Sequence, residues 1–130
     1  MLMSIPATNP SAFVFDGSAA EYNIYLDQGA SWSKTLLLKK ADGFSKDLTG
    51  YTAKAQIRDR IGDEDVIAEI TTTFVPPRKN GELVISLTHE ETAEFEFFDA
   101  VWDLFITSPD GVKSKLLKGY VRNDLAVTRE

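Results

Sequence analysis

Tyr51-Thr52-Ala53-Lys54-Ala55-Gln56-Ile57-Arg58 decides the fold class. Tyr51, Ala53, Ala55 and Ile57 face one way, and Thr52, Lys54, Gln56 and Arg58 face the other. A period of two with one apolar and one charged side predicts a half-buried antiparallel strand with a wet face. Turn residues bracket it. Asp47-Leu48-Thr49-Gly50 leads in, and the charged stretch Asp59 to Asp65, with Gly62 inside it, leads out.

The same pattern spreads in both directions. Upstream, Tyr22, Ile24 and Leu26 alternate with Asn23, Tyr25 and Asp27. Gln28-Gly29-Ala30 ends that run, and Trp32, Leu36 and Leu38 carry a second one to the turn signal Ala41-Asp42-Gly43. Downstream, a strand is expected over Val66 to Thr73. Pro76-Pro77 and Asn80-Gly81 bound the next loop. Leu83, Ile85 and Leu87 then alternate. Thr88-His89-Glu90-Glu91 reads as a capping box that starts a helix of about two turns, to about Phe95. Trp102, Leu104 and Ile106 alternate again before the turn Ser108-Pro109-Asp110-Gly111. The last strands run from Val112 to about Val121 and resume near Leu125 to Thr128.

Short strands with turns every eight to twelve residues predict a sandwich or a barrel. The expected architecture is an all-β, antiparallel, immunoglobulin-like β-sandwich of about seven or eight strands over 21–130, with one short helix near 88–95. Residues 1–20 read as an extended N-terminal arm, because Pro6, Pro10, Gly17 and several Ser residues discourage helix and sheet alike. Phe13-Val14-Phe15 is an apolar cluster inside that arm. Either it packs on its own domain as a first edge strand, or it docks on a neighbouring subunit.

The chain of 130 residues suits one domain, with enough surface to bury for a core that needs no staple. It contains no Cys, which rules out a disulfide framework and a thiolate zinc site. The net charge of −6 argues against a nucleic-acid-binding surface. Met1-Leu2-Met3-Ser4-Ile5-Pro6 lacks the basic and apolar regions of a secretory signal. No stretch approaches the roughly 18 apolar residues of a membrane helix. Neither nucleic acid nor membrane is expected as a partner.

Chemistry is sparse. His89 is the single histidine, and beside a helix N-cap it reads as a solvated surface residue. Asp59, Asp63, Glu64 and Asp65 share a loop, but Gly62 precedes Asp63, Glu64 and Asp65 instead of following the acids as a calcium loop requires. Glu90, Glu91, Glu94, Glu96 and Asp99 read as a helix start and its wet face. No glycine pattern cradles a phosphate. The expectation is no enzyme activity, no cofactor and no metal. Phe105 is expected to face outward, opposite Trp102 and Leu104. It marks either an interface or a sheet with apolar cover on both faces.

Several segments carry a resemblance: Tyr22-Asn23-Ile24-Tyr25-Leu26-Asp27-Gln28-Gly29-Ala30, Asp47-Leu48-Thr49-Gly50-Tyr51-Thr52-Ala53, Ala55-Gln56-Ile57-Arg58, and Trp102-Asp103-Leu104 leading to Thr107-Ser108-Pro109-Asp110-Gly111-Val112. In order and spacing they resemble small tailed-bacteriophage virion proteins, and are similar to the immunoglobulin-like N-terminal domain of baseplate upper proteins. The resemblance covers about Glu21 to Val121. It implies a structural tail or baseplate adaptor in the virion, made in the host cytoplasm. Such an adaptor would bind other virion proteins in multiple copies of a symmetric assembly. Phe13, Val14, Phe15 and Phe105 are the expected partner-binding residues. The competing expectations are a capsid decoration protein and a glycan-binding module, the latter presenting an exposed aromatic row such as Tyr22, Tyr25 and Phe105.

Overall fold

The computed structural model describes residues 10–15 and 18–128. Nine strands form: β1 (Ser11–Val14), β2 (Ala20–Glu21), β3 (Ile24–Asp27), β4 (Trp32–Lys39), β5 (Thr52–Arg58), β6 (Val66–Phe74), β7 (Glu82–Leu87), β8 (Asp99–Thr107) and β9 (Lys113–Asp124). Among the described residues one α-helix, α1 (His89–Ala93), lies between β7 and β8, and a 3-10 turn, Arg78–Asn80, precedes β7. Residues 125–128 form no strand, against the expected resumption near Leu125.

Strand order is β1-β4-β7-β6-β5-β8-β9-β2, with β3 also on β9. From β4 to β9 every pairing is antiparallel. The three N-terminal strands break that rule. β1 runs parallel to β4, and β2 and β3 run parallel to β9. The sheet is therefore mixed, where a wholly antiparallel sandwich was expected. The reason lies in the short N-terminal segment. It leaves β4 after Val14 and joins β9 at Ala20, so it switches edges instead of folding back in a hairpin. The expected boundary after Ala20 falls inside β2, and residues 11–14 of the expected arm are part of the sheet. Met1 to Asn9 lie outside the described residues.

β6 is the hinge of the architecture. Its first half pairs with β5 and its second half, Thr71–Phe74, with β7. The sheet bends there and wraps the core until its ends nearly meet: the Phe13 ring stands edge-on to Tyr22 at 6.0 Å. Alternation drives this closure. Leu36, Leu38, Leu83 and Ile85 point inward from one side, and Ile24, Ile57, Leu104, Ile106, Leu117 and Val121 from the other, each essentially without solvent contact. Each such Leu or Ile contributes about 1.5–3 kcal/mol relative to exposure. Leu116 and Leu117 are both buried because β9 carries a bulge where Leu104 pairs with Leu117 and Phe105 with Lys115.

The registers define two ends. Residues 28–31, 59–65, 88–98 and 125–128 gather at the helix end. Residues 40–51, 75–81 and 108–112 gather at the turn end. The capping box closes as expected. Thr88 Oγ1 accepts from the Glu91 N–H at 3.1 Å, and Glu91 Oε1 accepts from the Thr88 N–H at 2.8 Å. Two buried amides then tie α1 to the sheet. Gln28 Nε2 donates to Phe95 O at 2.8 Å while its Oε1 accepts from Ala126 N–H. Asn123 Nδ2 donates to Phe97 O at 3.0 Å. A helix of five residues has no stability of its own, and these bonds supply its tertiary support.

Candidate functional site

The structure separates the residues singled out in the sequence. Phe13, Val14 and Phe15 lie on and just after β1. Phe13 and Phe15 are half-buried and pack against the core, while Val14 points into solvent. Phe15 N–H donates to Lys39 O at 2.7 Å, and Lys46 Nζ sits 5.3 Å from its ring centre. Both aromatic rings of the cluster are thus engaged within their own domain. Phe105 is on the outer face of β8 as expected, but half-covered. Lys113 Nζ and Lys115 Nζ lie 5.6 and 5.4 Å from its ring centre.

Tyr22, Tyr25 and Phe105 do not form an aromatic row. Tyr22 is wedged between Phe13, Trp102 and Lys34, and burial pushes its phenol up from the ordinary value. Tyr25 is exposed on β3. His89 is exposed at the start of α1.

The acidic loop between β5 and β6 is organised by an arginine. Arg58 Nη1 donates to the carbonyls of Asp63 at 2.7 Å and Glu64 at 2.8 Å, and Nη2 donates to Gln56 Oε1 at 3.0 Å. The guanidinium thus ties the loop back to β5 through its carbonyl oxygens. Among the described residues no group of three or more His, Asp or Glu side chains is placed to hold a metal ion.

What the sequence did not reveal is a set of concave and protruding features. A groove of about 510 Å³ crosses the outer face of β5, β8 and β9. Gln56, Asp103, Lys118 and Tyr120 line it, and Ile61 from the loop after β5 joins them. One ion pair lies within it, Lys115 with Asp103 at 3.6 Å, and Arg122, just beyond, pairs with Asp99 at 2.9 Å. Exposed pairs of this kind contribute little to stability and serve mainly to shape a surface. A second concavity of about 750 Å³ lies at the helix end, between α1, the turn after β3 and Ala126. At the turn end Phe44 projects into water, 71% exposed. A phenylalanine after Asp-Gly carried no periodic signal, so sequence reading passed over it.

No family model matches the chain, and no curated protein matches its sequence. Among solved structures it is similar to the N-terminal domain of phage TP901-1 ORF48. The identity is 10% and the TM-score 0.52, over 88% of this chain and 98% of that one. It also matches a cysteine protease inhibitor, EhICP2, from Entamoeba histolytica, at 10% identity and a TM-score of 0.44, over 92% of this chain and all of that one. At these identities the likeness concerns the fold. This all-β chain, with its mixed, nearly closed sheet, shares an architecture with a domain of a phage protein.

Proposed function

We propose that this chain is a non-enzymatic structural protein of a phage particle. In this reading it is an immunoglobulin-like adaptor of the tail or baseplate that binds neighbouring virion subunits through its arm, loops and sheet edges. The observation that carries the reading is the likeness to the phage TP901-1 ORF48 N-terminal domain, which extends over nearly the whole of both chains. The pairing of β1 supports the edge-strand part of it. β1 covers only Leu36–Lys39, so the first half of β4, from Trp32 to Thr35, pairs with β7 alone. A half-covered strand next to a short edge strand is a place where an extended segment of another protein can add.

A glycan-binding reading has one observation in its favour. The groove over β5, β8 and β9 combines an exposed tyrosine, Tyr120, with the polar side chains of Gln56 and Asp103, a mixture suited to a sugar's apolar face and hydroxyls.

Gold-labelled antibody imaging of intact particles from the source lysate tests the assembly reading. Label at the distal tail is the expected result. Label over the head would replace the tail position with capsid decoration. Particles without label would overturn the virion reading and bring the groove forward as a glycan site.

A further inference from the structure

We propose that copies of this chain associate head to tail, with Phe44 and the lysines around it at the turn end of one copy seated in the acidic concavity beside α1 of the next. This deepens the assembly reading above, and rests on it, by naming a partner and a surface.

Charge is the first argument. The net charge of −6 is unevenly spread. At the helix end Asp27, Glu90, Glu94, Glu96 and Asp124 are all exposed, and the acidic loop of 59–65 adjoins them. The basic residues nearby, Arg58, Arg60 and Arg122, are outnumbered by these acids: Arg122 pairs with Asp99, Arg60 lies 4.0 Å from Asp59, and Arg58 donates to the loop carbonyls. The turn end has the opposite balance. Lys39, Lys40, Lys46, Arg78, Lys79 and Lys113 gather there against Asp42, Asp47, Glu82 and Asp110, with Lys40 paired to Asp42 at 3.6 Å and Arg78 donating to the carbonyls of Leu48 and Tyr51. Complementary ends steer two copies into one orientation and disfavour like ends meeting.

Shape is the second. Phe44 does not sit on a loose loop. Its N–H donates to Asp42 Oδ1 at 3.0 Å, its carbonyl accepts from Lys40 N–H at 2.8 Å, and Gly43 N–H donates to Lys40 O at 2.9 Å. A turn held by three bonds fixes the backbone from which the exposed ring projects, which lowers the backbone entropy lost on docking. The concavity at the other end is lined by the small residues Gly29, Ala93 and Ala126 together with Glu90, Glu94 and His89. Small groups beside two carboxylates suit an aromatic ring flanked by ammonium groups. The two surfaces lie at opposite ends of the domain, so the contact is heterologous. Repetition gives a ring or a filament instead of a closed two-fold dimer.

Sedimentation velocity of the full chain at low salt, over a range of concentrations, tests this. Association that weakens at high salt is expected for wild type. Phe44→Glu and the double variant Glu90→Lys/Glu94→Lys should each weaken self-association at least tenfold. Their thermal midpoints should stay close to wild type, because all three side chains are exposed, with a small drop for the double variant, in which Glu90→Lys replaces an acid at the α1 N-terminus by a base. An equimolar mixture of the two variants retains one intact turn end and one intact helix end. It should form a species of two chains and stop there. A wild type monomeric throughout, a Phe44→Glu protein that associates like wild type, or a mixture that stays monomeric would each overturn the proposal. Particle labelling separates the two readings. Labelled particles together with a monomeric protein sink the head-to-tail contact alone. Head-to-tail association without labelled particles supports the contact and sinks the virion role.

Discussion

Gly119 and Gly43 stand in backbone under opposite demands. Gly119 lies on β9 where the link between β2 and β3 crosses over it. A Cβ there would overlap the Tyr22 carbonyl and come within 2.8 Å of Asn23 Oδ1. Those atoms have no freedom to retreat. Tyr22 O accepts from the Trp102 indole at 2.8 Å, Asn23 Oδ1 accepts from Tyr120 N–H at 3.0 Å, and Tyr22 N–H donates to Lys118 O at 2.9 Å. Gly43, in the exposed turn after β4, has nothing within 4 Å of such a Cβ, but its φ is +90°. One glycine answers to packing between three strands, the other to local torsion alone. The crossing is where the fold is specified, and the turn is where it is merely permitted.

The most severe test of that contrast is Gly119→Ala. Overpacking against fixed backbone predicts a loss of about 3 kcal/mol or more in urea denaturation. A loss below about 1 kcal/mol would mean that the crossing can lift, and the contrast would collapse. Trp102→Phe sharpens the comparison. It removes the indole donor and leaves the Tyr22 carbonyl without it, at about 1–3 kcal/mol. If the indole is what pins that carbonyl, Gly119→Ala should cost less in the Trp102→Phe background than in wild type. A coupling of about 0.5 kcal/mol or more is expected from residues sharing one contact.

Gly43→Ala should be milder. The left-handed region costs a residue with a Cβ about 1–2 kcal/mol, with no collision added. Gly43→Asn should recover part of that, since Asn tolerates this region better. Equal losses for Gly43→Ala and Gly119→Ala would show that torsion, not packing, dominates at both places.

The same contrast explains what could be read in the sequence. The inward faces of β4, β5, β7 and β8 were legible, because Leu36, Leu38, Ala55, Ile57, Leu83, Ile85, Leu104 and Ile106 recur at every second position and are buried. The capping box of α1 was legible because both of its reciprocal bonds are local. The N-terminal pairings were not. Segments of two to four residues carry too little pattern to set direction, and their partners lie at distant positions. Gln28 and Asn123 were also hidden. One looks like a turn residue and the other like a wet strand position, yet both are buried as donors to the carbonyls that follow α1. As for the candidate site, Phe105 was placed on the correct face, but its lysine cover depends on the β9 bulge. Phe13 and Phe15 were recognised as needing a partner. That their own strands supply one depends on Lys39, Lys46 and Tyr22, which no local pattern connects to them.

Asp47 gives the smallest effect and isolates a purely polar local device at the turn end. Its Oδ1 accepts from Thr49 N–H at 2.9 Å and from Thr49 Oγ1 at 2.6 Å. The hydroxyl and then the amide of Thr49, with Lys46 and Lys79 nearby, hold its carboxyl below the ordinary value. A carboxyl depressed in the folded state stabilises it above the unfolded value, and that contribution is lost as pH falls through the folded value. Asp47→Asn keeps an oxygen acceptor and removes the titration. Wild type should therefore exceed Asp47→Asn by a small, constant margin near neutrality, and the margin should shrink between roughly pH 5 and pH 3. The group is fully exposed, so solvent screens its electrostatics and keeps the margin small. Denaturation curves at both ends of that range decide the matter. A margin that grows toward acid would mean that the carboxylate is not what organises the turn, and that Leu48, buried immediately after it, holds this loop by packing, as the crossing at Gly119 does.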